Sequence, residues 1–459
     1  MVCFFCFVFF SRFFFDTIDI AQMSKATLSK ADLISILGVS DMVYMRTAPS
    51  SPITSRQQKV SFATGGANVP FGPSSKCTID LQYGTDWMST QDSYLVFDLT
   101  VSGAAAGAYM LGGGAMNLIR DTQVATRSGK EIDRITNVNL LMKHEIQAEN
   151  PSFVRTNLNS LFFAQPGDVS NLDASTAAGR GLDSMSRSLL ADGVTERVMI
   201  PLRYLAGVFG VKKLIPGAMA RGLRLQLTFA SAAEALTVHT TGQVATFSVT
   251  NVHVNADTFR LDDSVNEFLS QNFLSKSSGL VLEYQTWNTT LSPLANVTAA
   301  NLEVRQTVSL GTMVTAIFRD SASIENLEKD SFASIPVEEK QSSQYRLGSH
   351  YYPNQRTEGK VEHYQQSLYA RNLQKYSIEN GYDLTKFIGS AADRGFGAGN
   401  ISMVLARSNV IELSGLSISN SRTLGLDVQS LPAGTKNAYV YLKHLRRAVL
   451  FLESVTLEV

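Results

Sequence analysis

An all-β chain folded as two tandem sandwiches is what this sequence predicts, on three observations. Apolar and polar residues alternate over short stretches, the period of a strand with one buried face. Turn residues, glycine above all, separate these stretches at regular intervals. Helical periodicity is confined to brief segments, with none of the strand and helix alternation that builds a parallel sheet. About eight strands fall in each half, which is the jelly-roll count. The predicted architecture is therefore two tandem eight-stranded jelly rolls with short helices in the inter-strand loops. A length of 459 residues suits two such units, since all-β domains of roughly 200 residues are common.

Residues 1–54 read as a leader and N-terminal arm. The leader, MVCFFCFVFFSRFFFDTIDIAQ, is apolar but broken by Ser11 and Arg12, and its run falls short of the ~20 residues that span a bilayer. It lacks the basic start and small-residue cleavage site of a secretory signal, so Met23 is the expected start of the functional chain. A Pro/Ser/Thr arm then leads into the fold.

The first jelly roll is expected over residues 55–258. Its strands fall at 78–83 and 94–101, followed by a hairpin over 118–135 that turns at Ser128-Gly129, where glycine supplies a positive φ. A helix is expected over 137–146, then a long polar excursion from 151 to 195. The most densely patterned stretch is 197–229. Strand 198–202 closes at Pro201, a residue that cannot donate to a ladder and belongs at a strand end or edge. Leu202, Leu205, Ala206 and Phe209 fall at i, i+3, i+4 and i+7, one apolar stripe of a short helix. Gly207 and Gly210 weaken that helix by roughly 1 kcal/mol each. A proline turn at Pro216 then leads to strand 223–229, where Leu223, Leu225 and Leu227 alternate with Arg224, Gln226 and Thr228. Another alternating strand is expected over 245–254.

A linker over residues 259–278 separates this unit from a second jelly roll over 279–459. Strands are expected there at 280–287, 302–310, 313–318, 402–406, 410–418, 424–428, 438–441 and 448–459. One helix, 360–376, carries Val361, Tyr364 and Leu368 on its apolar side.

The composition narrows the function. Hydrophobic residues make up 44% of the chain, which excludes general disorder. Lys plus Arg and Asp plus Glu number 40 each, so no overall field draws the chain to nucleic acid or an anionic membrane. Three cysteines, Cys3, Cys6 and Cys77, are too few for a disulfide framework, and Cys77 reads as a small core residue. No phosphate loop, HExxH or GxSxG occurs, and the GxGxG run at Gly395, Gly397 and Gly399 reads as a flexible loop. The six histidines are scattered, without ligand spacing, and read as surface or hydrogen-bonded residues. The sequons at Asn288, Asn296 and Asn400 read as chance. Basic clusters at 443–447 (KHLRR) and around Lys212, Lys213, Arg221 and Arg224 suit a solvated face or subunit salt bridges, and secondarily phosphate contact with packaged nucleic acid.

Three blocks in order, IPLRYLAGVFGVKKLIPG with LRLQLTF, the earlier LIRDTQVATRSGKEIDRI and the later QYRLGSHYYPNQ, resemble the double jelly-roll major capsid proteins of polinton-like viruses and related double-stranded DNA viruses. The resemblance covers residues 60–459, and the Phe-rich leader departs from it. It implies a virion shell protein with no catalytic residues, no cofactor and no small-molecule substrate. It further implies homotrimeric capsomers of pseudo-hexagonal outline, with penton and minor capsid proteins as partners and non-specific contact with packaged DNA. On this reading 198–202 and 223–229 resemble the F and G strands of the first jelly roll, with Phe209 in the helix 202–211 between them. Pro353 ends a strand segment, and Tyr351 and Tyr352 pack at a subunit boundary. Lys212 and Lys213 form an intersubunit or inner-surface patch.

Two other classes compete. A carbohydrate-binding jelly-roll module needs exposed aromatics over a cleft, and only Trp87 and Trp287 are offered. A cupin-type metalloenzyme needs a His/Glu set on adjacent strands, which the spacing does not supply.

Overall fold

The computed structural model describes residues 53–149, 153–164, 189–211, 213–217, 222–238, 240, 242–269, 271, 279–304, 306–371, 399–405, 416–418, 423–451 and 455–458. The leader with Cys3, Cys6 and Met23, the start of the arm, His239, Lys212, Arg221, Gly395 and Gly397 lie outside these residues, as does most of 410–415.

The first group of strands comprises β1 (Ile53–Phe62), β2 (Lys76–Leu81), β3 (Trp87–Ser102), β4 (Ala108–Tyr109), β5 (Ile119–Thr126), β6 (Glu131–Ile135), β7 (Leu189–Leu190), β8 (Thr195–Pro201), β9 (Leu214–Pro216), β10 (Leu223–Phe229), β11 (Thr237–Val238) and β12 (Thr246–Leu261). They form a sheet ordered β1-β12-β3-β8, with β9 also on β3, and a facing sheet ordered β2-β10-β5-β6. A small sheet, β11-β4-β7, stands beside them. Strict alternation does the work in β10: Leu223, Leu225, Leu227 and Phe229 are buried while Arg224, Gln226 and Thr228 are half-buried. Its outward Arg224 pairs with Asp80 of β2 at 2.8 Å. Leu95, Phe97, Leu99 and Val101 of β3 meet Cys77, Ile79, Leu225 and Leu227 in one core. Burial pushes the Cys77 thiol up to about 12, as expected of an inert core cysteine. The hairpin turns at Gly129, with φ +91°, and helix α1 (Val138–Ala148) follows it.

The second group comprises β13 (Leu280–Leu294), β14 (Ala299–Val304), β15 (Val308–Asp320), β16 (Ser342–Leu347), β17 (His350–Glu358), β18 (Ile401–Val404), β19 (Leu416–Ile418), β20 (Leu424–Gln429), β21 (Lys436–Leu450) and β22 (Val455–Glu458). One sheet is ordered β13-β21-β15-β18, with β19 and β22 attached, and the other β14-β20-β16-β17. Helix α2 (Gly359–Ala370) follows β17. Among the described residues no sheet mixes strands of the two groups.

Several expectations are corrected. β1, where no strand was expected and whose first two residues were assigned to the arm, is paired along its length with β12. It is an edge strand whose side chains are all exposed or half-buried, so no apolar alternation marks it. The stretch after Pro201 is not one helix. It forms two 3-10 turns, Leu202–Tyr204 and Gly207–Gly210, with Ala206 extended between them at φ −153° and ψ 146°. The apolar stripe is real, since Leu202, Leu205, Ala206 and Phe209 are all buried, but the periodicity reported burial and not helix. Pro216 ends a short strand paired with Trp87 instead of making a turn. The expected strands 302–310 and 313–318 divide elsewhere, into β14 and β15. The expected strands 438–441 and 448–459 merge into β21 and β22, so KHLRR lies inside a central strand. Pro353 sits within β17, not at its end, and is accommodated because β17 is an edge.

The decisive feature is the sheet that contains β21. Ala438, Val440 and Leu442 point into the core of the second sandwich with Val314, Ala316 and Phe318 of β15 and with Leu424 and Leu426 of β20. The alternate residues Tyr439 and Tyr441, with Ile317 and with Leu282 and Tyr284 of β13, belong to the first core. This sheet is thus buried on both faces, and the two sandwiches share it. At the contact, Gly207 lies so close to Gln285 that a Cβ would fall against the Gln285 carbonyl oxygen and the Thr286 Cα.

Substituting Gly207→Ala should therefore force the halves apart. A loss of about 3 kcal/mol or more is expected in urea unfolding, whereas Gly210→Ala, with nothing within 4 Å of its Cβ position, should cost less than about 1 kcal/mol.

Candidate functional site

The seam between the sandwiches concentrates the polar chemistry of the chain. β13 and β21 reach across it with hydroxyls. Tyr284 donates to the Ile132 carbonyl at 2.8 Å, Thr289 to the Thr136 carbonyl at 2.9 Å and Tyr441 to the Asn137 carbonyl at 3.0 Å. Thr286 donates to Oδ1 of Asp133 at 2.5 Å, and the Val208 N–H donates to Oδ2 at 3.2 Å. Asp133 is fully buried and ties β6, the turn at Gly207–Gly210 and β13 together. Burial pushes its carboxyl up, against the two donors that favour the charged form.

Three ion pairs cross the same seam. Lys143 of α1 meets Asp330 at 2.5 Å, Glu145 of α1 meets Arg371 at 3.3 Å, and Glu234 stands 4.0 Å from Arg319. Arg319 lies between the rings of Phe332 and Tyr439, each 5.3 Å away, and donates to the Tyr439 hydroxyl and the Ser331 carbonyl. Pairs this buried fix which surfaces match more than they add net stability. No local pattern in the sequence marks them, because each joins residues far apart in the chain.

The described histidines divide: three fit the expected surface or hydrogen-bonded reading and two depart from it. His350 is exposed on β17. His363 bonds to Ser343 and to the Gly359 carbonyl, and His253 to the Asn251 carbonyl. His144 and His444 are buried with no hydrogen-bond partner on either ring nitrogen. Burial, reinforced by Lys143, Arg371 and Arg319, holds His144 well below the usual range. Burial and then Arg446 push His444 down to about 4.

The predicted site residues scatter over this frame. Pro201 closes β8 opposite Tyr94, and Phe209 is fully buried in the first core. Lys213 is half-buried beside Pro216. Tyr351 and Tyr352 stand exposed on β17, at 45% and 48%. The basic run 443–447 is only partly solvated: Lys443 lies over the Trp287 ring at 5.2 Å, His444 is buried, and Arg447 is half-exposed and reaches Glu283 at 3.7 Å. Both tryptophans are buried, at 4% and 5% exposure, so neither offers the sugar platform of the carbohydrate reading. Among the described residues no three of His, Cys, Asp and Glu are grouped as a metal site, and no helix is long and apolar enough to cross a membrane.

Two sandwiches joined through a sheet buried on both faces form a double jelly roll, the fold of double jelly-roll major capsid proteins. Solved structures share it over nearly the whole chain. The quasi-atomic model of the PBCV-1 virus capsid is similar at a TM-score of 0.56 and 14% identity, over 91% of this chain and 99% of that one. The Faustovirus major capsid protein gives 0.56 at 9% identity, over 92% and 99%. The mavirus major capsid protein gives 0.51 at 12% identity, over 91% and 94%. No protein-family model and no curated protein matches the chain.

Removing one partner of the Lys143–Asp330 pair strands a buried charge. Lys143→Met should cost about 3–5 kcal/mol, and the double variant Lys143→Met/Asp330→Leu should recover most of it, as read by urea unfolding at neutral pH.

Acid should weaken the fold through the histidines. His144, His363 and His444 ionise near pH 6.5 when unfolded and resist it when folded, so the unfolded state binds more protons and stability falls as pH drops. For His444 the window runs from 6.5 down to about 4 and is worth on the order of 3 kcal/mol. Buried carboxyls with raised pKa, such as Asp133 and Glu234, act in the opposite sense but are common to chain and variant. Urea midpoints at pH 7 and pH 4.5 should therefore separate less for His444→Leu than for the unaltered chain; an equal separation would remove His444 from the account.

Proposed function

We propose that this chain is a major capsid protein, located in the virion, that self-assembles as homotrimeric capsomers of pseudo-hexagonal outline into an icosahedral shell around a double-stranded DNA genome. The observation that carries this reading is the likeness to capsid proteins over about nine-tenths of this chain and nearly all of each neighbour. The ordered sequence blocks favour a polinton-like or related virus. A role in building a shell needs no enzyme chemistry, cofactor or small-molecule substrate.

The surface supports assembly. β1 and β17 are edge strands that present Val60 and Phe62, and Tyr351 and Tyr352, to solvent. Exposed edges with apolar side chains template further pairing unless a neighbour covers them. Copies of the same chain are the simplest cover, because closed rotational symmetry buries such a patch in every subunit. Tyr351, Tyr352 and Pro353 are thus proposed at a subunit boundary. The subunit plan is a jelly roll over 55–258 and another over 279–459, with 259–278 between them. Penton and minor capsid proteins complete the shell, and any contact with packaged DNA is non-specific.

Light scattering after size exclusion should give three times the chain mass, and electron microscopy should show pseudo-hexagonal particles. A monomer at micromolar concentration would contradict the reading. The variant Tyr351→Ser/Tyr352→Ser should shift trimer to monomer by at least about tenfold in dissociation constant while leaving the unfolding midpoint of the subunit unchanged.

A further inference from the structure

A cleft of about 500 Å³ opens at the seam, walled by Arg203, Tyr204 and Lys213 from the first sandwich and by Tyr284, Trp287 and Lys443 from the second. That volume is within the range of small-molecule sites. Its lining carries three cations and one carboxylate. Among the described residues none of Arg203, Lys213 and Lys443 is ion-paired with a carboxylate. The one lining carboxylate, Glu283, is engaged by Arg447. The Arg203 guanidinium lies 5.0 Å from the Tyr204 ring centroid and donates to the Tyr204 hydroxyl. Lys443 is held over Trp287. Two of the three cations are thus positioned by aromatic rings. Burial lowers the Lys443 pKa against the pull of Glu145. Glu149 accepts from the Tyr204 hydroxyl and acts on Arg203, and neither carboxylate lines the cleft itself.

We propose that this cleft binds a small multivalent phosphate oxyanion of the polyphosphate class, held jointly by Arg203, Lys213 and Lys443. A planar guanidinium grips two oxygens of such an ion and lysines complete the charge as point donors. Because the cations come from both sandwiches, the bound anion bridges them and stabilises the folded subunit by mass action. A duplex is far too large for the cleft, so this site is separate from any contact with packaged DNA, and the assignment is independent of how subunits assemble.

The test is isothermal titration of the full chain with tripolyphosphate at constant ionic strength, with thermal unfolding in parallel. Saturable one-to-one binding is expected with a dissociation constant below about 1 mM, together with a rise in the unfolding midpoint. Lys213→Gln and Lys443→Met should each weaken binding about tenfold or more, whereas Arg224→Gln, on β10 and outside the cleft, should bind as the unaltered chain does. Lys213→Gln changes a half-buried residue, so it keeps the test open if Lys443→Met fails to fold. Absence of saturable binding, or binding equal in the Lys213→Gln and unaltered chains, would overturn the proposal. Tighter binding of hexaglutamate than of tripolyphosphate would overturn the phosphate assignment in favour of an acidic peptide segment.

Discussion

Burial of one sheet on both faces is the constraint on which the rest of this structure depends. A strand in an ordinary sandwich spends alternate residues on water, but β21 spends one set on the core of the second sandwich and the other on the first. The consequence is a first core that takes in residues of both halves, beside a second core on the other face of the same sheet. It also explains why the hydroxyls of β13 and β21 at the seam are engaged. Buried donors and acceptors cost free energy unless paired, and the Tyr284, Thr286, Thr289 and Tyr441 hydroxyls meet that demand with partners in the other half.

The charged groups at the seam answer a different requirement. Apolar faces alone would permit many relative positions, since dispersion and hydrophobic burial are non-directional. Asp133, the three crossing ion pairs and the close approach at Gly207 allow one. A fixed placement of the two halves follows from this matched seam. The same burial leaves the His144 and His444 ring nitrogens without hydrogen-bond partners, which makes the fold answer to pH.

Much of the fold was legible in the residues. Leu223, Leu225 and Leu227 placed β10 correctly because alternation reports a half-buried strand directly. Gly129 marked the hairpin because a positive φ has few other occupants. The stripe Leu202, Leu205, Ala206 and Phe209 identified buried positions but suggested the wrong backbone, since two 3-10 turns bury the same side chains as one helix. β1 escaped notice because an edge strand with few buried side chains carries no apolar period. KHLRR looked like surface because charge suggests solvent, and nothing local shows that Trp287 covers Lys443.

What the sequence determined by itself is the set of strands with one buried face, the neutral charge balance and the all-β class, because these depend on neighbours two to four residues away. Tertiary structure alone decided the seam. Asp133 with Thr286, Lys143 with Asp330 and Arg203 with Lys443 lie 150 or more residues apart in the chain, and no local period encodes such a distance. The candidate site is made of those long-range meetings, so it became visible only when the two sandwiches were brought onto their common sheet.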